Sequence, residues 1–174
     1  MKLKNKVAIV TGGGKGIGEE ISLGLAKEGA KVVVADLDKE NSSYVVKEIL
    51  KNSGEAIYVE TDVSNEASVK NLISETINRF DQIDILINNA GIRHVKKLEN
   101  HDLSDWNDMI SVNLTGPYIC CQAVIPEMKK IGKGKIINFG SIASFMGRPD
   151  RVGYVAAKSG ILGLTRALAI DLKG

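Results

Sequence analysis

Short runs of apolar residues alternate along the chain with longer segments in which apolar residues recur every three or four positions. The short runs lack polar alternation, which is typical of parallel strands covered on both faces. The pattern predicts strands at residues 7–10, 31–35, 56–60, 83–87 and 135–139. It predicts helices from Ile17 to the stop at Gly29, at 40–51, at 66–80 and at 103–130, and a last helix at 154–172.

This alternation indicates an α/β fold, a doubly wound parallel sheet with helices on both faces and right-handed crossovers. Pro117 is poorly tolerated inside the long helix predicted at 103–130, so a kink or a boundary is expected near Gly116. The 174 residues have the length of one domain, and no repeat or low-complexity linker divides them. We therefore interpret residues 1–174 as a single domain.

Composition excludes several classes of protein. A hydrophobic fraction of 44% and a charged fraction of 25% argue against a disordered or membrane-spanning chain. A formal net charge of +2 does not favour nucleic acid as a partner. Thr11 and the glycines after it end the first apolar run before it can form a signal-peptide core, so a cytoplasmic protein without a membrane partner is expected. Cys120 and Cys121 lack metal-ligand spacing and are expected to pack in a helix.

A glycine-rich segment, TGGGKGIG at residues 11–18, lies between the first predicted strand and the first predicted helix. Backbone N–H groups and the helix dipole favour an anion at such a turn, and a dinucleotide pyrophosphate is the natural candidate. The segment does not match GxGxxG in any register, and Glu19 stands where a Walker loop would carry its lysine. A tight turn without a ligand is the alternative for the glycines alone.

Asp36 favours a nucleotide at this turn. It ends the second predicted strand twenty residues after Gly16, where a carboxylate can accept hydrogen bonds from an adenosine ribose. The same carboxylate would repel a 2′-phosphate, so NAD is favoured over NADP. Lys15 opposes this preference because a cation in the turn can attract that phosphate, which keeps NADP possible; the alternative is a lysine that is simply solvated.

Tyr154 and Lys158 form the second chemical feature of the chain. A phenol and an ammonium four residues apart on a helix project from the same face. A nearby cation favours the ionised phenol, so the pair can act as one proton-transfer unit. Ser141 precedes Tyr154 by thirteen residues.

These motifs, in this order and spacing, resemble the classical short-chain dehydrogenase/reductase family, whose members include 3-oxoacyl-[acyl-carrier-protein] reductases and sugar or polyol dehydrogenases. The resemblance runs from Val7 to Leu172 and rests on TGGGKGIG, Asp36, Asp62-Val63, NNAG at residues 88–91, Asn113, Ser141 and the YxxxK pair. It implies a Rossmann-like fold and hydride transfer between NAD(P) and a secondary alcohol or a ketone.

The resemblance also implies a role for each matching residue. Pyrophosphate would contact Thr11, Gly12, Gly16, Ile17 and Gly18. Adenosine would contact Asp36, Asp62 and Val63, and the cofactor would pass close to Asn89, Ala90 and Gly91. Tyr154 would transfer the proton, Ser141 would hold the substrate oxygen, Lys158 would assist Tyr154 and bind the nicotinamide ribose, and Asn113 would hold a water. Family members commonly pair through the helices before Ser141 and around Tyr154, so a homodimer or a homotetramer is expected.

The family pattern continues beyond the helix of Tyr154 with further strands, a proline-glycine turn and a segment over the substrate. None of these follows Gly174 in this sequence. One interpretation is a piece of an ordinary dehydrogenase, and the other is a dinucleotide-binding or oligomerisation module without turnover. We favour the first because every catalytic position is intact. A methyltransferase with a similar sheet is disfavoured because it has no use for Tyr154 and Lys158.

Several other residues have simpler interpretations. His94 and His101 follow the NNAG turn without a third ligand at metal spacing, which predicts a surface loop close to a possible substrate mouth, together with Arg93. Trp106 is expected to pack within a helix. The lysines that surround the end of the helix before Ser141 complement its dipole.

Overall fold

Five parallel strands form one sheet in the computed structural model, which describes residues 1–173. The strands are β1 (Val7–Thr11), β2 (Lys31–Asp36), β3 (Glu55–Glu60), β4 (Ile85–Asn88) and β5 (Lys135–Asn138). Their order across the sheet is β3-β2-β1-β4-β5, and every pair of neighbours is parallel. The predicted parallel α/β architecture is confirmed.

Six helices cover the two faces of the sheet. They are α1 (Gly16–Lys27), α2 (Lys39–Lys51), α3 (Glu66–Phe80), α4 (Leu103–Ile110), α5 (Gly116–Lys130) and α6 (Val152–Asp171). One core layer joins the sheet to α1 and α2, and a second joins it to α3 and α5. Val32, Val33 and Val34 alternate between these layers and are fully buried, which explains why β2 shows no polar alternation.

The long helix predicted at 103–130 is interrupted where Pro117 suggested a boundary. A π-helical turn, Ser111–Thr115, joins α4 to α5. Pro117 then occupies the first turn of α5, directly after the π-helical turn. The turn brings Asn113, a candidate site residue, into the interior with no exposed surface.

The order of the strands reverses between β1 and β4. From β1 the chain proceeds to β2 and β3 on one side, whereas β4 and β5 lie on the other. In such sheets ligands bind outside the carboxyl ends of the strands at this switch point. The register places the ends of β1, β4 and β5 side by side, because Thr11 is opposite Asn88 and Asn88 is opposite Asn138.

None of the helices within residues 1–173 combines the length and the apolar composition needed to cross a membrane.

Candidate active site

The glycine turn between β1 and α1 is a backbone cradle. Gly12 and Gly16 have φ values of 62° and 57°, in the left-handed region that glycine adopts without strain. A Cβ on Gly18 would overlap the carbonyl oxygen of Gly12. A Cβ on Gly12 would lie 2.8 Å from Cα of Ala90, so the NNAG turn passes directly beside the cradle.

Helix α1 leaves its first turn open toward this cradle. The residue that precedes it, Lys15, makes no side-chain cap, and the side chain of Ile17 is 65% exposed. Backbone N–H groups at an uncapped helix start are donors for an anion, and the dipole adds a partial positive charge. Gly12, Lys15, Gly16, Ile17 and Gly18 therefore lie together at a turn whose N–H groups can donate to an anion.

Thr11 and Asn89 join the end of β1 to the end of β4. The Thr11 hydroxyl donates to the carbonyl oxygen of Ile87 at 3.2 Å and accepts from the N–H groups of Asn89 and Ala90, both at 3.1 Å. The Asn89 amide donates to the carbonyl oxygens of Thr11 at 3.1 Å and Gly12 at 3.0 Å. Thr11 is only 1% exposed, so its side chain lies in the wall that shapes the turn.

Asp36 faces the glycine turn from the end of β2. One carboxylate oxygen accepts from the N–H of Gly14 at 3.0 Å, and the other accepts from the N–H of Asp38 at 3.0 Å. Each oxygen keeps a further lone pair that a ribose hydroxyl can use.

Acidic groups gather around Asp36. Burial raises the pKa of the neighbouring Tyr58 phenol, and the charges of Glu60, Asp36 and Asp38 raise it further. Hydrogen bonds from Asn41 hold the pKa of Asp38 below its ordinary value, and the charge of Lys15 adds to this effect.

Asp62 and Val63 lie just after β3. One oxygen of Asp62 accepts from both the N–H and the hydroxyl of Ser64, at 2.9 and 2.6 Å. Val63 is 6% exposed, and its side chain packs against Gly116. A Cβ on Gly116 would lie 2.8 Å from Cγ2 of Val63. Val63 can therefore offer an adenine only its backbone.

Asn113 clamps the end of the NNAG turn. Its amide donates to the carbonyl oxygens of Ile92 and Met109, both at 3.0 Å, and its oxygen accepts from the N–H of Ile92 at 3.2 Å. Gly91 lies against it, because a Cβ there would be 2.8 Å from the Asn113 oxygen. Both amide protons of Asn113 are used within the protein and the residue has no exposed surface, so a water at this position would be held mainly by main-chain atoms.

Tyr154 and Lys158 lie on the first half of α6. The ammonium nitrogen of Lys158 is 6.0 Å from the centre of the Tyr154 ring and donates to the carbonyl oxygen of Phe139 at 2.8 Å. Lys158 is only 6% exposed, and this burial lowers its pKa. The Tyr154 phenol is half-buried and makes no hydrogen bond to any of residues 1–173, so it is available to a ligand.

Ser141 opens a 3₁₀ turn, Ile142–Ser144, that follows β5 and packs against α6. Its hydroxyl oxygen accepts from the N–H of Ala143 at 3.1 Å. The hydroxyl proton then remains free to be donated to a ligand. Ser141, Tyr154 and Lys158 thus come from two elements that meet beside the carboxyl ends of β4 and β5.

Two polar groups near these residues were missed by sequence reasoning. Ser144 is buried between the Ser141 turn and α6, and its spacing of three residues from Ser141 is that of a capping box. Asn138 accepts from the Asn88 amide at 2.8 Å and donates to Thr165 at 3.0 Å, which joins β4, β5 and α6. No sequence signal marks Asn138, because its partners are 50 and 27 residues away.

The histidines and cysteines considered in the sequence make contacts within the protein. His94 approaches Asp105 at 3.6 Å, and His101 contacts the carbonyl oxygen of Lys96 at 2.9 Å. Cys120 and Cys121 are both 1% exposed, and burial raises their pKa values to about 12 and about 11. They pack in α5 as expected. Within residues 1–173 there is no cluster of three metal-ligating side chains.

Comparison with known proteins identifies the family. The short chain dehydrogenase model matches residues 6–174. The chain is 43% identical over 171 residues to a Thermotoga maritima protein named "Uncharacterized oxidoreductase", covering 98% of this chain and 66% of that protein. It is 43% identical over 171 residues to a Synechocystis 3-oxoacyl-[acyl-carrier-protein] reductase, covering 98% and 69%. The crystal structure of levodione reductase superposes with a TM-score of 0.93 at 32% identity, covering 97% of this chain and 67% of that one.

The chain belongs to the short-chain dehydrogenase family, as its motifs predicted. It spans about two thirds of the length of the relatives that it matches.

Proposed function

We propose that this protein is an oxidoreductase that transfers a hydride between NAD(P) and a secondary alcohol or a ketone. The observation that carries the proposal is that two sites lie at the same end of the sheet, outside the carboxyl ends of its strands. The glycine cradle and Asp36 lie at the ends of β1 and β2, and the Ser141 turn with Tyr154 and Lys158 lies beside the ends of β4 and β5. A dinucleotide that crosses the switch point would reach both.

The residues present fit such a cofactor. Its pyrophosphate would be held by the N–H groups of the glycine turn and the start of α1, its adenosine ribose by Asp36 and its adenine by Asp62 and the backbone of Val63. Asn89, Ala90 and Gly91 would let the backbone after β4 come close to it. When bound, NAD(P) supplies or accepts the hydride, and the protein supplies orientation and proton transfer.

Tyr154, Ser141 and Lys158 would carry the proton chemistry. In reduction, Tyr154 donates the proton of its hydroxyl to the substrate oxygen, and in oxidation the phenolate removes a proton from the alcohol. Ser141 donates its free hydroxyl proton to the same substrate oxygen, a hydrogen bond that strengthens as negative charge develops there. The Lys158 ammonium favours the phenolate and would bind the nicotinamide ribose. The π-helical turn around Asn113 would hold a water through its main chain.

The acidic surroundings of Asp36 support NAD over NADP. A 2′-phosphate there would meet the Asp36 carboxylate, with Asp38 directly beside it. We expect wild-type protein to bind NAD more tightly than NADP. Asp36→Asn should lower the ratio of NAD affinity to NADP affinity about tenfold or more, because it removes a charge close to the added phosphate. Titration of both cofactors by calorimetry measures the ratio.

A matched control is Glu75→Gln, which removes one carboxylate charge from the exposed face of α3. It should leave the ratio of the two affinities unchanged. Tighter binding of NADP than of NAD by the wild-type protein would contradict the role given to Asp36.

A panel of secondary alcohols and ketones with NAD and NADP tests the function itself. The panel should include 3-oxoacyl thioesters, sugars and polyols, the substrate groups that the family resemblance suggests. We expect formation or consumption of reduced cofactor, followed by the absorbance of the reduced nicotinamide. Binding of NAD(P) without turnover on any member of the panel would instead favour a dinucleotide-binding module.

A homodimer or homotetramer in the cytoplasm, formed through α5 and α6, is part of the same proposal. Light scattering measures the mass of the assembly, and a stable monomer would contradict this part.

A further inference from the structure

Ser144 connects the two elements that carry the proposed catalytic residues. Its side chain is 9% exposed. The Ser144 hydroxyl oxygen accepts from the N–H of Ser141 at 3.0 Å, and its proton is donated to the carbonyl oxygen of Lys158 at 2.7 Å. One buried hydroxyl therefore holds the backbone of the Ser141 turn and the backbone of α6 at the same time.

The Lys158 side chain completes a closed ring of contacts. Its ammonium donates to the carbonyl oxygen of Phe139, two residues before Ser141. From Phe139 the chain runs to Ser141, the Ser141 N–H bonds to Ser144, and Ser144 returns to Lys158. The ring joins the end of β5, the 3₁₀ turn and α6 without help from Tyr154.

The ring determines where the Ser141 hydroxyl points. That hydroxyl accepts from the N–H of Ala143, inside the turn that Ser144 closes from its other end. Gly140 also packs against Ser144, because a Cβ there would be 3.3 Å from the Ser144 oxygen. Movement of the turn would therefore shift the Ser141 hydroxyl relative to the Tyr154 phenol, and both groups must reach the same substrate oxygen.

We propose that Ser144 is a positioning residue that sets the Ser141 hydroxyl at its working distance from Tyr154 and Lys158. The inference rests on the proposed dehydrogenase function. Ser144 does not touch the substrate or the cofactor in this scheme. It acts by satisfying one N–H of the Ser141 turn and one buried carbonyl of α6.

Three variants test the role of Ser144. Ser144→Ala removes the hydroxyl, and Ser144→Thr keeps it. Thr76→Val is a matched control, because it removes a fully buried hydroxyl that bonds to Leu72 at 2.7 Å on α3, away from the site. We expect Ser144→Ala to lower kcat roughly 10- to 100-fold, the range that small misplacements of reacting groups produce. Its affinity for NAD should stay within about twofold of wild type, Ser144→Thr should recover most of kcat, and Thr76→Val should leave kcat unchanged.

A second measurement tests the closed ring of hydrogen bonds without relying on turnover. Hydrogen exchange of the Ser141 amide should be slow in wild type and in Ser144→Thr, and at least about tenfold faster in Ser144→Ala. Unchanged exchange in Ser144→Ala, or a kcat within about twofold of wild type, would overturn the proposal. Equal losses of kcat in Ser144→Ala and Thr76→Val would overturn it as well. A wild-type protein without turnover would count against the proposed function alone, and the exchange measurement would still decide whether Ser144 holds the turn.

Discussion

Tyr154→Phe is expected to lower turnover about 10²- to 10⁴-fold, the usual contribution of a positioned proton donor. The variant removes one hydroxyl, and that hydroxyl makes no hydrogen bond to any other group in residues 1–173. The variant should therefore be as stable as the wild type, and it retains the aromatic ring of residue 154 near Lys158. Steady-state kinetics on the best substrate of the panel measures kcat, and calorimetric titration with NAD measures cofactor affinity, which should not change.

Tyr44→Phe is a suitable control for this variant. Tyr44 is 57% exposed on α2, so its hydroxyl faces solvent and its removal should leave kcat as it is. Turnover by Tyr154→Phe close to that of wild type would show that another residue transfers the proton. Loss of NAD binding together with turnover would instead show that Tyr154 mainly holds the cofactor.

Local sequence patterns were sufficient for most of the fold. Strands β1 and β2 are buried on both faces and therefore read as uninterrupted apolar runs. Strand β5 lies at the edge of the sheet with Ile137 half exposed, but its short apolar run was still recognisable. The helices between the strands show the helical period. The boundaries were less predictable. Helix α6 begins at Val152 rather than at Tyr154, and β4 begins at Ile85 rather than at residue 83. Asp84 directly precedes β4, and its carboxylate accepts from the Lys6 ammonium and from the N–H of Val7. The π-helical turn at 111–115 has no distinctive sequence signal.

The residues of the candidate site also differ in how well the sequence predicts them. Residues whose role depends on neighbours in sequence, such as the glycines and the Tyr154-Lys158 pair, could be found from spacing. Residues whose role depends on distant partners could not. Thr11 and Asn113 were expected near a ligand, yet the structure shows that their side chains bind the backbone near the NNAG turn, 76 and 21 residues away. Contact of Thr11 with the cofactor and of Asn113 with a water stays a prediction. Such contacts would involve the main chain around these residues more than their side chains.

Lys158→Met should separate function from stability. Turnover is expected to fall at least about 10²-fold, because the cation that favours the Tyr154 phenolate is lost. The free energy of unfolding at neutral pH should rise by on the order of 1 kcal/mol, the scale on which buried polar groups cost stability in protein mutants. Lys158 is 6% exposed, and within residues 1–173 its ammonium bonds to the carbonyl oxygen of Phe139 and to no carboxylate, so its charge is buried at a cost. Thermal unfolding monitored by circular dichroism measures this gain.

The gain in stability should depend on pH in one direction. Burial lowers the pKa of Lys158 in the folded protein below the ordinary value of 10.5, so between these two values the unfolded chain binds more protons than the folded one. Wild-type stability must then rise with pH through this window, since the cost of the buried charge disappears as Lys158 becomes neutral. The advantage of Lys158→Met is therefore largest below the folded-state pKa and vanishes near pH 10.5. Lys47→Met, on the exposed face of α2, should show no such dependence. A loss of stability in Lys158→Met that is equal at every pH would mean that the bond to Phe139 outweighs the cost of burying the charge.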